Sequence, residues 1–257
     1  MLDISAVVLS YNEELNIARC LSSLDFCREI VVVDSGSTDK TNKIAANFTE
    51  KVLYHPIEGH GAQLNWGIEQ TTNDWILSLD ADEEISVQLK KSIKDIASNS
   101  PFVGYHLNRK TFYLGRWIEH SGWYPQYILR LFNKNYGCSN QAAIHKSISV
   151  KGETDRLEGD ILHYSYRSLS HHLAKINDYT SSIAAERYGN GRRFNLLKGI
   201  FAPPAEFLKK YIIQRGFLDG FPGFAVAVTS AAYSFMKQAK LYEISLNEKK
   251  VENGNDN

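Results

Sequence analysis

The sequence predicts an α/β fold: a mainly parallel central sheet with helices on both faces, followed by a helical C-terminal region. Three observations carry this. Apolar runs of strand length alternate with helical periodicity over the first hundred residues. Polar clusters close those runs. From about residue 168 onward the apolar residues recur at helical spacing alone.

The elements follow in order. Ile4-Ser5-Ala6-Val7-Val8-Leu9-Ser10 reads as a buried strand, and Leu15, Ala18, Leu21 and Leu24 then recur at helical spacing. Glu29-Ile30-Val31-Val32-Val33-Asp34 is a second strand, closed by Ser35-Gly36-Ser37-Thr38-Asp39 as turn and helix cap. Residues 41–48 are helical, 51–54 form a third strand and 61–70 a helix. Trp75-Ile76-Leu77-Ser78-Leu79 is a fourth strand running into Asp80-Ala81-Asp82-Glu83. Strands apolar on both faces indicate a parallel sheet covered by helices, and such sheets bind ligands at the carboxyl ends of their strands. Residues 105–113, 127–132 and 143–150 predict strands of a mixed or antiparallel region, and 169–188, 196–215 and 221–246 predict helices. The expected organisation is one domain over 1–167, a helical region over 168–246, and a polar, frayed tail over 247–257.

Composition narrows the function classes. The 257 residues carry 29 basic and 29 acidic side chains, so no global field points to nucleic acid. Between Arg187 and Lys240 nine Lys/Arg face only Glu206 and Asp219, a local excess suited to an anionic surface or simply to a solvated face. Cys20, Cys27 and Cys138 form no metal or redox pattern and fit a reducing compartment. The N-terminus lacks the basic and apolar regions of a signal peptide. The most apolar stretch, 221–235, is shorter than the ~18 residues a span needs and is interrupted by Pro222 and Gly223.

Asp80 and Asp82, one residue apart at a strand end, can both face a divalent cation, and their hard oxygens suit Mn²⁺ or Mg²⁺. Acids ahead of a helix also complement its dipole, so capping is the plain alternative. Tyr11 and Glu13 close the first strand with an aromatic face and a carboxylate, and Asp34 closes the second with a carboxylate that can accept hydrogen bonds from a base or ribose.

Ser10-Tyr11-Asn12-Glu13-Glu14, Val32-Val33-Asp34-Ser35-Gly36-Ser37-Thr38-Asp39 and Leu79-Asp80-Ala81-Asp82-Glu83 stand in the order and spacing of family 2 glycosyltransferases of the GT-A (Rossmann-like) fold, which the sequence resembles. His120-Ser121-Gly122-Trp123-Tyr124-Pro125, Arg130-Leu131-Phe132, Ala143-Ile144-His145, His163-Tyr164-Ser165-Tyr166 and Gly216-Phe217-Leu218-Asp219-Gly220 are similar to the branch holding bacterial lipopolysaccharide-core β-1,4-glucosyltransferases. The resemblance spans about residues 4 to 243. It implies inverting transfer of a hexose from a nucleotide sugar, such as a UDP-sugar, to a saccharide acceptor of a cell-envelope glycan. It implies that Tyr11, Glu13, Asp34, Gln63, Asp80, Ala81, Trp123 and Arg130 hold the nucleotide sugar. The resemblance also implies that Asp82 holds a divalent metal, completed by His163 or His145. For Arg130 a structural ion pair is the alternative to a phosphate contact.

The base is where the sequence departs from that pattern. The similar enzymes carry acids where this chain has Gln126 and Lys146, and neither is an ordinary proton acceptor at neutral pH. Asp155, with Glu119 and Glu153, is among the nearest carboxylates in sequence. The missing acids leave open a second reading, a catalytically degenerate protein that binds a nucleotide sugar or glycolipid without turnover. Apolar helix sides with basic edges, at Phe207, Leu208, Tyr211, Ile212 and Ile213 beside Lys209, Lys210 and Arg215, fit contact with a membrane surface presenting a lipid-linked acceptor. Packing on the core or in a homodimer is the alternative. The implied location is cytoplasmic, on the inner face of the cytoplasmic membrane.

Overall fold

Along β1 (Ile4–Ser10) every residue is buried, and strand alternation sends Ala6 and Val8 to one face, Val7 and Leu9 to the other. Ala6 and Val8 join a core with Ile17 and Leu21 of α1 (Ile17–Ser22), Ala45 of α2 (Thr41–Ala45) and Leu89 and Ile93 of α4 (Val87–Lys94). Val7 and Leu9 join Leu64 and Ile68 of α3 (His60–Glu69). A strand covered on both sides has no polar face, which is why its sequence is almost unbroken in apolar residues. Each fully buried Val, Leu or Ile contributes roughly 1.5–3 kcal/mol, so this double core dominates the stability of the sheet. The close seat of α3 depends on Gly67, where a Cβ would lie 2.7 Å from side-chain carbons of Val7 and Val33.

The structure is a computed structural model that describes residues 2–56, 59–139, 148–166 and 168–254, with 249–254 by backbone alone. It divides into two compact units, Met1–Thr111 with Pro125–Ser165, and Phe112–Tyr124 with Tyr166–Asn257. In the first unit, β1 lies between β2 (Glu29–Asp34) and β4 (Trp75–Asp80), parallel to both, and β3 (Val52–Tyr54) extends the parallel set beyond β2. The sheet then turns mixed. β8 (Tyr127–Asn133) runs antiparallel between β4 and β6 (Gly104–Tyr113), pairing Leu131 with Leu77 and Phe132 with Ile76. β11 (Thr154–His163) is parallel to β6, and β5 (Glu83–Ile85) closes the edge antiparallel to β11. β9 (Gly137–Ser139) and β10 (Ile148–Val150) form a separate pair, so of the strand expected over 143–150 only its end is described. By these directions the carboxyl ends of β1, β2, β4 and β11 share one edge of the sheet.

The second unit opens on a hairpin: Phe112 and Tyr113 at the end of β6 pair with Trp117 and Arg116 of β7 (Arg116–Trp117). Leu114 and Gly115 between them both have positive φ, the two-residue turn that matches strand twist. α5 (Leu169–Gly189) starts on a Ser168 side chain that accepts from His171 N, and it buries His172, Ile176, Thr180 and Ala184 at four-residue steps. α6 (Leu196–Leu208) passes through Pro203 and Pro204 into a π-helical turn (Lys209–Ile213) and a 3₁₀ turn (Gly216–Asp219). α7 (Gly220–Gly254) runs past Leu246, where the sequence pattern places its end. Asp219 is fully buried and accepts from the backbone N–H of His120 at 2.8 Å and of Glu119 at 3.2 Å, tying the hairpin segment to the helices.

Candidate active site

The loops after β1 and β2 are bonded to one another. Asn12 takes a left-handed φ of 53°, a conformation an Asn side chain tolerates. Its N–H donates to Ser37 Oγ and its Oδ1 accepts from Thr38 N, both at 2.8 Å. Glu13 N donates to Thr41 Oγ1, and the Glu13 carboxylate accepts from Asn16 Nδ2 at 2.7 Å. Asp34 is 2% exposed and accepts from Gly36 N, Ser37 N and Asn42 Nδ2 at 2.8–3.0 Å, besides the Ser37 hydroxyl. Its oxygens therefore shape this loop first. Gln63 is buried and its amide donates to Ser35 Oγ and the His55 carbonyl, so it holds the same loop from α3. Tyr11 stands 55% exposed at the edge, with its ring available to a flat partner.

The end of β4 is held by the strands on either side of it, β1 and β8. Ala81 N donates to Leu9 O at 3.0 Å. Arg130 is buried on β8, and its Nη2 donates to Asp80 Oδ2 at 2.9 Å and Glu83 Oε1 at 3.1 Å. Glu83 Oε2 in turn accepts from Asp80 N. Burial alone would favour a neutral guanidinium, but the Glu83 and Asp80 carboxylates outweigh it and push the Arg130 pKa above the usual arginine value. Burial, with Glu83, Asp82 and Asp80 nearby, pushes the Cys20 thiol well above its ordinary range, so it is an inert packing group. The ion-pair alternative for Arg130 is thus the one its geometry displays. Glu83 is a buried residue of β5, not an acid at a helix start.

Asp82 and His163 meet at the same edge. Asp82 Oδ2 lies 3.4 Å from His163 Nε2, and their side chains are 15% and 12% exposed. β11 delivers this histidine: its last residue pairs with Glu83 of β5, and Tyr164 N donates to the Asp82 carbonyl at 2.9 Å. The Arg19 guanidinium lies 3.8 Å from the centre of the Tyr164 ring. His163 Nδ1 is buried without a hydrogen-bond partner among the described residues. No group of three His, Cys, Asp or Glu side chains forms a ready-made cation cage among them. A carboxylate oxygen and an imidazole nitrogen suit Mn²⁺ or Mg²⁺ where phosphate oxygens fill the remaining positions, and this pair fits that demand.

The other expected residues scatter. Gln126 is exposed, and its Oε1 accepts from Arg109 Nε at 3.0 Å and Nη2 at 2.8 Å. Arg109 Nη1 lies 3.6 Å from Glu83, so a chain of contacts runs from Gln126 through Arg109, Glu83 and Arg130 to Asp80. Asp155 is not brought to this edge. It pairs with Tyr105 at the amino end of β11, eight residues from His163, on the order of 25 Å at ~3.3 Å per residue. Its role as a base at this site is therefore set aside. Trp123 belongs to the second unit, with ring centres 5.5 Å from Tyr113 and 5.7 Å from Tyr166. His145 and Lys146 lie outside the described residues. Sequence reasoning missed Glu83 and Arg109; a charged residue in the strand-like run 105–113 was the available signal for the latter.

A family model described as "Glycosyl transferase family 2" matches residues 5–151, more than half of the chain. The chain belongs to glycosyl transferase family 2. Among family relatives, it is 29% identical over 255 residues to the lipopolysaccharide core biosynthesis glycosyltransferase LpsC of Rhizobium meliloti (strain 1021), covering 94% of this chain and 93% of that one. It is 31% identical over 264 residues to the uncharacterized glycosyltransferase RT0209 of Rickettsia typhi, covering 98% and 90%. Its structure resembles that of the mannosyltransferase PcManGT from Pyrobaculum calidifontis in complex with GDP-Man and Mn²⁺, with a TM-score of 0.52 and 14% identity over 92% of this chain and 86% of that one. That identity supports the fold alone, a GT-A-like mixed sheet with helices and a helical C-terminal stretch. As a family 2 member the protein is a glycosyltransferase.

Proposed function

We propose that this glycosyltransferase inverts the anomeric centre of a hexose as it moves it from a nucleotide sugar, a UDP-sugar, to a saccharide acceptor of a cell-envelope glycan. The observation that carries the reading is the apposition of Asp82 and His163, 3.4 Å apart, beside the anchored Asp80 at one strand-end edge. Asp82 and His163 would hold a Mn²⁺ or Mg²⁺ ion. Such an ion, when bound, supplies positive charge against the diphosphate that leaves. Tyr11 offers its exposed ring to the base, while Asp34, Glu13 and Gln63 keep the surrounding loops in place and so fix where the nucleoside can lie. Arg130 fixes the Asp80 carboxylate through the 2.9 Å bond from its Nη2 and acts by positioning it. Gln126 orients Arg109 and takes no proton, because a carboxamide accepts only a hydrogen bond. The envelope-glycan acceptor follows the name of the relative LpsC, a lipopolysaccharide core biosynthesis glycosyltransferase.

The helical unit supports contact with a membrane surface. α6 has no buried residue, and Leu196, Leu197, Ile200 and Phe201 are 54–65% exposed, with Ile212 and Ile213 also exposed beyond it. Lys198, Lys209 and Arg215 lie along the same stretch. Apolar side chains edged by basic ones suit an interface between water and anionic lipid. No helix among the described residues is long and apolar enough to cross a membrane. This reading places the enzyme at the inner face of the cytoplasmic membrane.

The test is calorimetric titration of UDP with and without Mn²⁺. The wild-type protein should bind UDP at least about tenfold more tightly with the ion, and Asp82→Ala should remove the difference. Equal affinity with and without Mn²⁺ or Mg²⁺ would overturn the metal-assisted donor site.

A further inference from the structure

The helical unit contains a cavity of about 400 Å³, within the size range of small-molecule sites. Tyr179 of α5, Glu206 of α6, Lys210 of the π-helical turn, and Ser230, Ser234 and Lys237 of α7 line it. The last three sit at four- and three-residue steps, so one helix face presents all of them. Lys210 and Lys237 are half-buried, and neither ammonium has a hydrogen-bond or ion-pair partner among the described residues. Lys237 only rests 4.5 Å from the centre of the Tyr233 ring. The hydroxyls of Ser230, Tyr233 and Ser234 are likewise without partners there. The lining carboxylate, Glu206, pairs at 3.8 Å with Lys209. Burial holds both lysines below the usual ammonium range, with Glu206 opposing this for each, while Lys209 reinforces it for Lys210 and Arg187 for Lys237.

Half-buried cations without a hydrogen-bond or ion-pair partner are costly even with one carboxylate, Glu206, in the same lining, and a set of N–H and O–H donors around one cavity is what an oxyanion takes up. The π-helical turn reinforces this, since such turns disturb a helix locally and recur at functional sites. We infer that this cavity is a binding site for a phosphate-ester oxyanion, seated between Lys210 and Lys237 with its carrier's hydroxyls against Ser230, Ser234 and Tyr233. The carrier is a saccharide or a lipid headgroup. The saccharide option rests on the glycosyl-transfer reading; the oxyanion site does not.

Glucose 6-phosphate, glucose and inorganic phosphate would be titrated into the full chain without donor. Glucose 6-phosphate should saturate and bind more tightly than glucose, and Lys210→Met with Lys237→Met should weaken it about tenfold or more, as expected when charged hydrogen bonds are lost. Ser230→Ala with Ser234→Ala, a gentler change, should weaken it several-fold with the circular dichroism unchanged. Asp82→Ala should leave glucose 6-phosphate affinity as it is, which keeps failure of this site distinct from failure of the donor site. Displacement of the sugar phosphate by phosphatidylglycerol vesicles would place the phosphate on a lipid, and its persistence would place it on a saccharide; either supports the site. No saturation up to about 10 mM, equal binding of glucose, or unchanged affinity in both folded variants would overturn it.

Discussion

At the scale of single residues, Arg130 is the keystone of the donor edge, because it brings a buried positive charge to Asp80 and Glu83. Breaking such a pair from one side leaves a carboxylate buried without compensation, which costs about 3–5 kcal/mol. Arg130→Met should therefore lower unfolding free energy by about that amount in urea, and adding Glu83→Gln should recover much of it. A loss under about 1 kcal/mol would mean that Arg109 already carries Glu83 alone. Glu29 gives a pH signature. Burial opposes its ionisation, but hydrogen bonds from Lys51, Ser5 and Thr72 prevail and hold its pKa at about 2 against an ordinary 4.5. A carboxylate depressed on folding stabilises the fold fully above its unfolded pKa and loses that contribution as pH falls through the folded one. The unfolding free energy measured in urea should thus fall between pH 4.5 and 2 in the wild type, and fall less over the same range in Glu29→Gln. The sequence could show Asp34 and Asp80 because each ends an apolar run, and Asp82 because it follows Asp80 two residues on. It could not show Arg130 meeting Asp80, fifty residues apart, because that contact exists only through the antiparallel entry of β8.

At the scale of elements, what periodicity could read was decided by how apolar each element is. β1, β2 and β4 were legible because both their faces are covered, and α5 because four buried residues repeat at its core stripe. β11, with Asp155, Arg156, Glu158 and Asp160 in its ten residues, carries no such pattern. Only its pairing with β6 and β5 makes it a strand, and hence Asp155 and His163 could not be assigned to opposite ends beforehand. α6 shows the reverse case, an apolar sequence with no buried residue. Its exposed face predicts a measurable activity: co-sedimentation with anionic vesicles. Leu197→Gln with Phe201→Gln should cut that binding about tenfold or more, given ~1.5–3 kcal/mol for each large apolar side chain buried. Both residues are more than 60% exposed, so the melting temperature should hold. If the variant instead changes the oligomeric state and leaves vesicle binding alone, the face is a dimer contact.

At the scale of the whole molecule, the family and the strand-end chemistry agree on a glycosyltransferase, with Tyr11, Asp34, Asp80, Asp82 and His163 at the carboxyl ends of β1, β2, β4 and β11. The strand-end cluster was legible in the sequence as a cluster; the base was not, since Gln126 serves Arg109 and Asp155 stands at the far end of its strand, and Trp123, read with the nucleotide-sugar residues, belongs to the helical unit's aromatic cluster. The central claim is that Asp82 and His163 serve one ion. The direct measurement is the Mn²⁺ enhancement of UDP affinity in Asp82→Ala, His163→Ala and the double variant. Two ligands of one ion should be strongly non-additive, so each single variant should lose nearly all of the enhancement and the double little more. Losses that add independently, or an enhancement that survives in either single variant, would contradict a shared metal.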